Sequence, residues 1–282
     1  MELDFNLNQK KFDLDQTFDC GQCFRWFKIK EKWYGVVQGR EAEAYICDNL
    51  LKINILNDQD LNHEDEFKFW ENYFDLDTDY ILVKEKLKNI DNTLDFAMEK
   101  FGGIRILNQN FWETLCSFII SQNNNIPRIK SIIKNFCRYF GKKLKSNYAF
   151  PEVNHIADLC PNDLNIIKSG FRSKYIIDAA RKIKNGIKFE ELANYSNKDV
   201  VKIISKIKGV GPKVSSCVLL YSFHRLNAFP IDVWIRRTMQ ENFSGKTSDI
   251  FGEFAGVAQQ YLFSFKRTTK IYENSTFKSQ NS

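Results

Sequence analysis

Hydrophobic residues change their spacing along this chain. Between residues 23 and 56, aromatic and β-branched residues recur at strand spacing in "CFRWFKIK" and "KWYGVVQG", broken by "KEK", "GRE" and "CDN". This pattern predicts an antiparallel meander. From about Glu64 the period lengthens. "EDEFKFWENYF", "DYILVKEKLKNI", "NTLDFAMEKF", "NQNFWETLCSFIISQ", "PRIKSIIKNFCRYFG", "SKYIIDAARKIKNG" and "DVVKIISKI" each carry an apolar stripe at helical spacing and mostly end at Gly or Asn. The closing "TTKIYENSTFKSQNS" is polar and reads as a disordered tail. Strands first and helices afterwards predict an α+β fold rather than alternating α/β. The expected organisation is an N-terminal antiparallel sheet domain over residues 1–95, a mainly helical domain over 96–268, and a polar tail over 269–282. No repeat of solenoid period is visible.

Composition narrows the class. The chain has 282 residues, 43% of them hydrophobic and 15% aromatic, enough to bury a sizeable core. Lys and Arg number 41 against 35 Asp and Glu, and this net charge of +6 is compatible with a polyanionic partner without requiring one. Seven irregularly spaced cysteines argue against a disulfide framework. The opening "MELDFNLNQKKFDLDQ" resembles no targeting peptide, and "CVLLYSF" is too short to cross a membrane, so an intracellular, cytoplasmic protein is expected, nucleoid-associated in a bacterium.

The densest local signal is "KIKGVGPKVSSC", residues 206–217. Ser196 with Asp199 three residues on makes a capping-box variant, and Val200, Ile203, Ile204 and Ile207 form one apolar face. "KGVG" interrupts that helix, and Pro212 suits the first turn of the next. The prediction is a helix-hairpin-helix over 197–222. A Walker loop is excluded, because the glycine spacing differs and no Gly precedes Lys213. A bare structural turn and a DNA clamp both stay open. In the clamp, Gly209 and Gly211 let a backbone approach, and N–H groups near Val214 meet phosphate. Lys213 falls in the first turn of the second helix, where the dipole disfavours a cation by about 0.3–1 kcal/mol. An amine nucleophile acts in its neutral form; a solvated surface lysine is the plainer alternative. Downstream, "NAFPIDVWIRRTM" places Asp232 as an N-cap, a role that alone explains it, although a carboxylate near an amine also moves protons.

With "GVGPKVSSC" followed by "FPIDVW", the chain resembles the helix-hairpin-helix DNA glycosylases. "DCGQCFRW", "YFDLDTDY", "FGGIRILNQNFWETLCSFIISQNNNIPRI", "SGFRSKYI" and "FAGVAQQYLFS" occur in the order found in the 8-oxoguanine DNA glycosylase branch, and the resemblance spans residues 5–265. It implies a two-lobed helical domain with DNA and a flipped base between the lobes. It implies a bifunctional glycosylase/AP lyase that excises 8-oxoguanine opposite cytosine in base excision repair. By the same resemblance, Lys213 attacks the sugar C1′ and forms a Schiff base, with β-elimination to follow, and Asp232 assists it. Asn123 fills the gap left by the flipped nucleotide, Arg128 and Arg172 read the orphaned cytosine, and Phe171 wedges beside it. Gly21 accepts from the N7–H that only the oxidised base carries. Gln259 binds the Watson–Crick edge, and Cys217 and Phe263 sandwich the base. Ser205, Ile207 and Val210 match carbonyls that hold a monovalent cation. No other cofactor is implied, and without a cysteine cluster no iron–sulfur centre is expected. The expected partner is lesion-bearing duplex DNA, bound by a monomer.

Two positions depart from the pattern. Phe171 stands where many members have tyrosine, and Trp234 where many have a phosphate-binding histidine. Cys20 and Cys23 form a CxxC that precedes a predicted strand and has no second pair to complete a zinc site. Two other functions compete. A glycosylase for alkylated or other damaged purines fits less well, because the monofunctional enzymes lack the hairpin lysine. A non-catalytic helix-hairpin-helix module needs the glycines but neither Lys213 nor Asp232.

Overall fold

The computed structural model describes residues 1–7, 11–57 and 61–279, with side chains to Thr269. Five antiparallel strands form one sheet in the order β1-β5-β4-β3-β2: β1 (Glu2–Asn6), β2 (Phe27–Ile29), β3 (Lys32–Val37), β4 (Arg40–Cys47) and β5 (Leu50–Ile55). Two-residue turns set the meander. Gln38 and Gly39 both take positive φ (47° and 83°), as do Asp48 and Asn49 (51° and 61°), the backbone that hairpins with right-handed twist require. Leu3 faces Ile53 and Phe5 faces Leu51 in register, so the alternation of β1 puts its apolar side on the sheet's buried face. That face packs on α1 (Leu14–Asp19) and α2 (His63–Tyr73), where Phe18, Trp26, Trp70 and Phe74 interleave.

The meander is as expected, except that its first strand begins at Phe27 rather than Cys23. The aromatic residues of 23–26 fit a strand pattern, but the segment serves two cores: Cys20 and Phe24 belong to the helical core, Cys23 and Trp26 to the sheet core. The segment is a loop pinned from within by Gln22. Its amide donates to the carbonyls of Thr17 (2.9 Å) and Arg105 (2.8 Å), and its oxygen accepts from the Leu107 N–H (2.9 Å).

The helical part comprises α3 (Tyr80–Leu87), α4 (Asn92–Phe101), α5 (Phe111–Ser121), α6 (Ile126–Phe140), α7 (Val153–Ala157), α8 (Ser173–Lys184), α9 (Phe189–Leu192), α10 (Asn197–Ile204), α11 (Pro212–Ser222), α12 (Val233–Asn242) and α13 (Ala255–Ser279), with short 3₁₀ turns between some of them. Helices α5 and α11 are buried over most of their length, and they pack against each other. Helix α13 packs on α4. Helix α13 also corrects an expectation: the polar tail continues as helix to Ser279. The stretch from Lys266 to Ser279 holds no Gly or Pro, so nothing in it breaks the ladder. The final three residues lie outside the described ones.

Candidate active site

The hairpin forms as its caps dictate. Ser196 caps α10 and accepts from the Asp199 N–H, and Pro212 is the first residue of α11. Gly209 takes φ +79°, and a Cβ there would stand 2.3 Å from the Tyr175 ring. Gly209→Ala is therefore expected to destabilise the fold by about 2–3 kcal/mol, the sum of a left-handed backbone and a ring that must move. Thermal unfolding measures this, and an unchanged midpoint would contradict it. No side chain caps α11 at Gly211, so the first N–H groups of that helix are available to an anion.

Lys213, the second residue of α11, is half-buried. Its Nζ donates to Ser121 Oγ at 3.0 Å and lies 4.7 Å from the centre of the Phe118 ring. Asp232 caps α12, its Oδ1 accepting from the Ile235 N–H at 2.8 Å. Burial raises the Asp232 carboxyl above the usual aspartate value, against the opposing pull of that N–H and of the Lys213 charge. Both residues line one cleft of about 940 Å3, a size typical of ligand sites. Gly21, Asn123, Trp234 and Phe263 line it too. Gly21 holds φ +80°, and a Cβ on it would touch the Phe263 ring at 3.4 Å. Cys217 and Gln259 are buried, at 2% and 3% exposure, and are not among the lining residues. Burial pushes the Cys217 thiol up to about 11, with Lys213 pulling the other way, so it stands as a neutral thiol at pH 7.

The remaining residues gather at the cleft's rim. Asn123 is exposed with φ +48°, and Asn125 caps α6 by accepting from the Arg128 N–H. Arg128 is exposed. Phe171 is 52% exposed, and its ring lies edge-on to Tyr175 and over the Arg172 guanidinium. Arg172 is buried and donates to the carbonyls of Gln122, Asn123 and Ser169. Four of the five Arg172 N–H groups are thus engaged, whereas the exposed Arg128 has only a long bond to the Lys168 carbonyl (3.5 Å) to give up for a base. Cys20 is buried, and its thiol is pushed up to about 12 by that burial, which fits packing rather than chemistry. Among the described residues, no three His, Cys, Asp or Glu side chains group as metal ligands would, and no helix is long and apolar enough to cross a membrane.

Four contacts here have no counterpart in sequence reasoning. They are Ser121 and Phe118 on Lys213, the Gln122 amide donating to the Gly209 carbonyl (2.9 Å), and an ion pair of Arg267 with Asp19 (2.6 Å) at the cleft edge beside Gly21. The last joins residues 248 apart, and no local pattern announces it.

Comparison with known proteins follows the same outline. Residues 4–115 match the family model of the 8-oxoguanine DNA glycosylase N-terminal domain, and residues 116–250 match that of the HhH-GPD superfamily of base excision DNA repair proteins. The structure of MBOgg1 in complex with a low-affinity DNA ligand superposes with a TM-score of 0.88 at 37% identity, covering 95% of this chain and 96% of that one. The Clostridium acetobutylicum 8-oxoguanine glycosylase/lyase, solved with duplex DNA containing cytosine opposite 8-oxoguanine, gives 0.85 at 34% identity over 93% of each chain. A DNA-3-methyladenine glycosylase of Bacillus subtilis is 33% identical over 209 residues, 70% of this chain and 69% of that protein.

Proposed function

This chain belongs to the 8-oxoguanine DNA glycosylase family of the helix-hairpin-helix base excision repair proteins, and on that premise we propose that it excises 8-oxoguanine opposite cytosine with Lys213 as its nucleophile. It is a DNA N-glycosylase with lyase activity. The observation that carries the finer reading is the placement of Lys213: an amine held by Ser121 over Phe118, in one cleft with Asp232.

A stacked nucleotide cannot be bound and cut at its C1′, so it leaves the duplex at a cost of a few kcal/mol. Asn123, exposed on its positive-φ turn, fills the gap, with Phe171 beside it. The neutral Lys213 amine attacks C1′. The C1′–N9 bond breaks, its electron pair leaves with the base, and the base takes up a proton. Asp232 accepts the proton that the attacking nitrogen loses and stabilises positive charge on the sugar. Opening of the sugar gives the Schiff base. Loss of a C2′ proton then expels the 3′ phosphate by β-elimination. The Gly21 carbonyl selects the oxidised base, since guanine would oppose it with a lone pair and leave a buried acceptor unpaired. The resemblance also assigns Gln259, Cys217 and Phe263 to the base pocket; Phe263 lines the cleft already, while Gln259 and Cys217 must become accessible for the base to meet them. The N–H groups at the start of α11, through Gly211 and Val214, take a phosphate, and the turn at Gly209 allows the approach. A monovalent cation on the carbonyls of Ser205, Ile207 and Val210 belongs to the same reading. Those are hard oxygen donors, and Ile207, which accepts from the Val210 N–H, has a second lone pair for an ion.

Single-turnover cleavage of duplexes carrying 8-oxoguanine opposite each of the four bases, beside a 3-methyladenine duplex, tests the substrate. Cleavage at 8-oxoguanine, fastest opposite cytosine, is expected. Faster release of 3-methyladenine would favour the alkylpurine reading that the Bacillus subtilis relative suggests. Arg128→Ala is expected to reduce the preference for cytosine by about 1–3 kcal/mol, the worth of one good base contact, while excision opposite the other bases changes little. An unaltered preference would remove Arg128 from that role.

A further inference from the structure

We propose that Ser121 is a positioning residue for the nucleophile: it fixes the direction from which Lys213 meets the sugar. The inference rests on the reading of Lys213 as nucleophile. Ser121 is the last residue of α5, and Lys213 lies in the first turn of α11. A serine hydroxyl has one proton and two lone pairs. Here the proton goes to the Phe118 carbonyl, at 2.8 Å, one turn back in the same helix. Towards Lys213 the hydroxyl can therefore only accept, and Nζ donates to it at 3.0 Å.

That asymmetry matters for an amine that must act in its neutral form. A neutral amine has two N–H bonds and one lone pair. Once one N–H is tied to Ser121 Oγ, the rotation of the amine about its Cε–Nζ bond is restricted, and so is the direction of its lone pair. Without an acceptor there, the amine loses this restraint on its rotation, and its lone pair is aimed at the sugar a smaller part of the time. The Phe118 ring, 4.7 Å from Nζ, cannot substitute, because a ring face attracts a cation without fixing its rotation. The support is itself held. The same α5 is buried on nearly every side and packed on α11, so the acceptor and the amine keep their separation through the two helices. The next residue, Gln122, donates its amide to the Gly209 carbonyl of the hairpin at 2.9 Å. The end of α5 thus grips the α11 helix at its catalytic turn and the hairpin just before it.

Three measurements on wild type, Ser121→Ala and Ser121→Thr decide the matter: affinity for a lesion duplex, single-turnover excision at saturating enzyme, and borohydride trapping on a duplex carrying a preformed abasic site. Ser121→Ala is expected to bind the duplex within about twofold of wild type, yet to excise and trap about tenfold more slowly, the effect of one lost hydrogen bond felt in the transition state. Threonine keeps the hydroxyl and can make the same bond to the carbonyl one turn back, so Ser121→Thr is expected to recover most of both rates. A Ser121→Ala protein that excises and traps at the wild-type rate overturns the inference. So does a loss that Ser121→Thr leaves uncorrected, or one that appears only as weaker duplex binding, since either marks a structural cap. If wild type itself forms no trapped adduct, the lysine reading falls and this inference with it, an outcome distinct from the others.

Discussion

Lys213→Gln is expected to abolish borohydride trapping and to lower excision of 8-oxoguanine by roughly 10⁴-fold or more, the scale seen when a covalent nucleophile is removed. The amide of glutamine keeps a polar group of similar length in the cleft but has no basic nitrogen to form an imine. The fold should survive. Lys213 is half-buried on the second position of α11, and its polar contacts are few: the bond to Ser121, an interaction with the Cys217 thiol and the charge of Asp232. Its cation–ring contact with Phe118 adds about 0.5–1 kcal/mol at a partly exposed site. Duplex binding should persist, because the phosphate contacts expected of the hairpin come from backbone N–H groups that the substitution leaves in place. A variant that binds the lesion duplex and neither cleaves nor traps is the expected result. Residual trapping in Lys213→Gln would move the nucleophile to another amine. Unchanged cleavage would return the hairpin to the simple DNA clamp that glycines alone can make.

The hairpin was legible because its determinants are local. Ser196, Pro212 and the glycine turn act within a few residues of one another, and caps and turns have their own sequence chemistry. Asp232 announced itself as an N-cap for the same reason and is one. Strand β1 is not legible as a strand from its alternating Leu3, Phe5 and Leu7 alone, because its partner is β5, more than 40 residues away in sequence. Residues 23–26 differ in the other direction: their aromatic residues suit a strand, but they are shared between two cores, and which core each residue enters is set by tertiary packing. The contacts that build the cleft were least visible. Ser121 and Lys213 are 92 residues apart, and a serine at a helix end reads as an ordinary cap. Arg172 shows the limit from another side. Its position in the motif carried an expectation of base reading, while its burial against three carbonyls depends on how α8 and the Asn123 turn meet in space. Burial of an arginine is a tertiary fact that the residue type argues against.

Asp232→Asn separates catalysis from capping, because asparagine caps a helix about as well as aspartate does. The Ile235 N–H that Oδ1 now accepts can be accepted by the amide oxygen, so α12 keeps its start. What is lost is a base and a negative charge beside Lys213. Excision is expected to fall by about 10²–10³-fold, the range for a general base or a single charge-stabilising group. Stability should move the opposite way. The carboxyl of Asp232 sits above its ordinary value because burial disfavours its charged form more than the N–H bonds and Lys213 favour it. Between the ordinary aspartate value and that raised one, the folded protein binds more protons than the unfolded chain, so stability falls as pH rises through this window. Above the window the folded protein carries the full cost of the buried charge; below it the carboxyl is neutral in both states. Asp232→Asn, which never carries the charge, is therefore expected to be the more stable protein at neutral pH. Its advantage should shrink as pH drops through the window, and denaturant unfolding of both proteins from neutral to acid pH measures this. Slower chemistry with a firmer fold is the mark of a strained functional group. An active variant of unchanged stability would leave Asp232 with the single role of holding the first turn of α12.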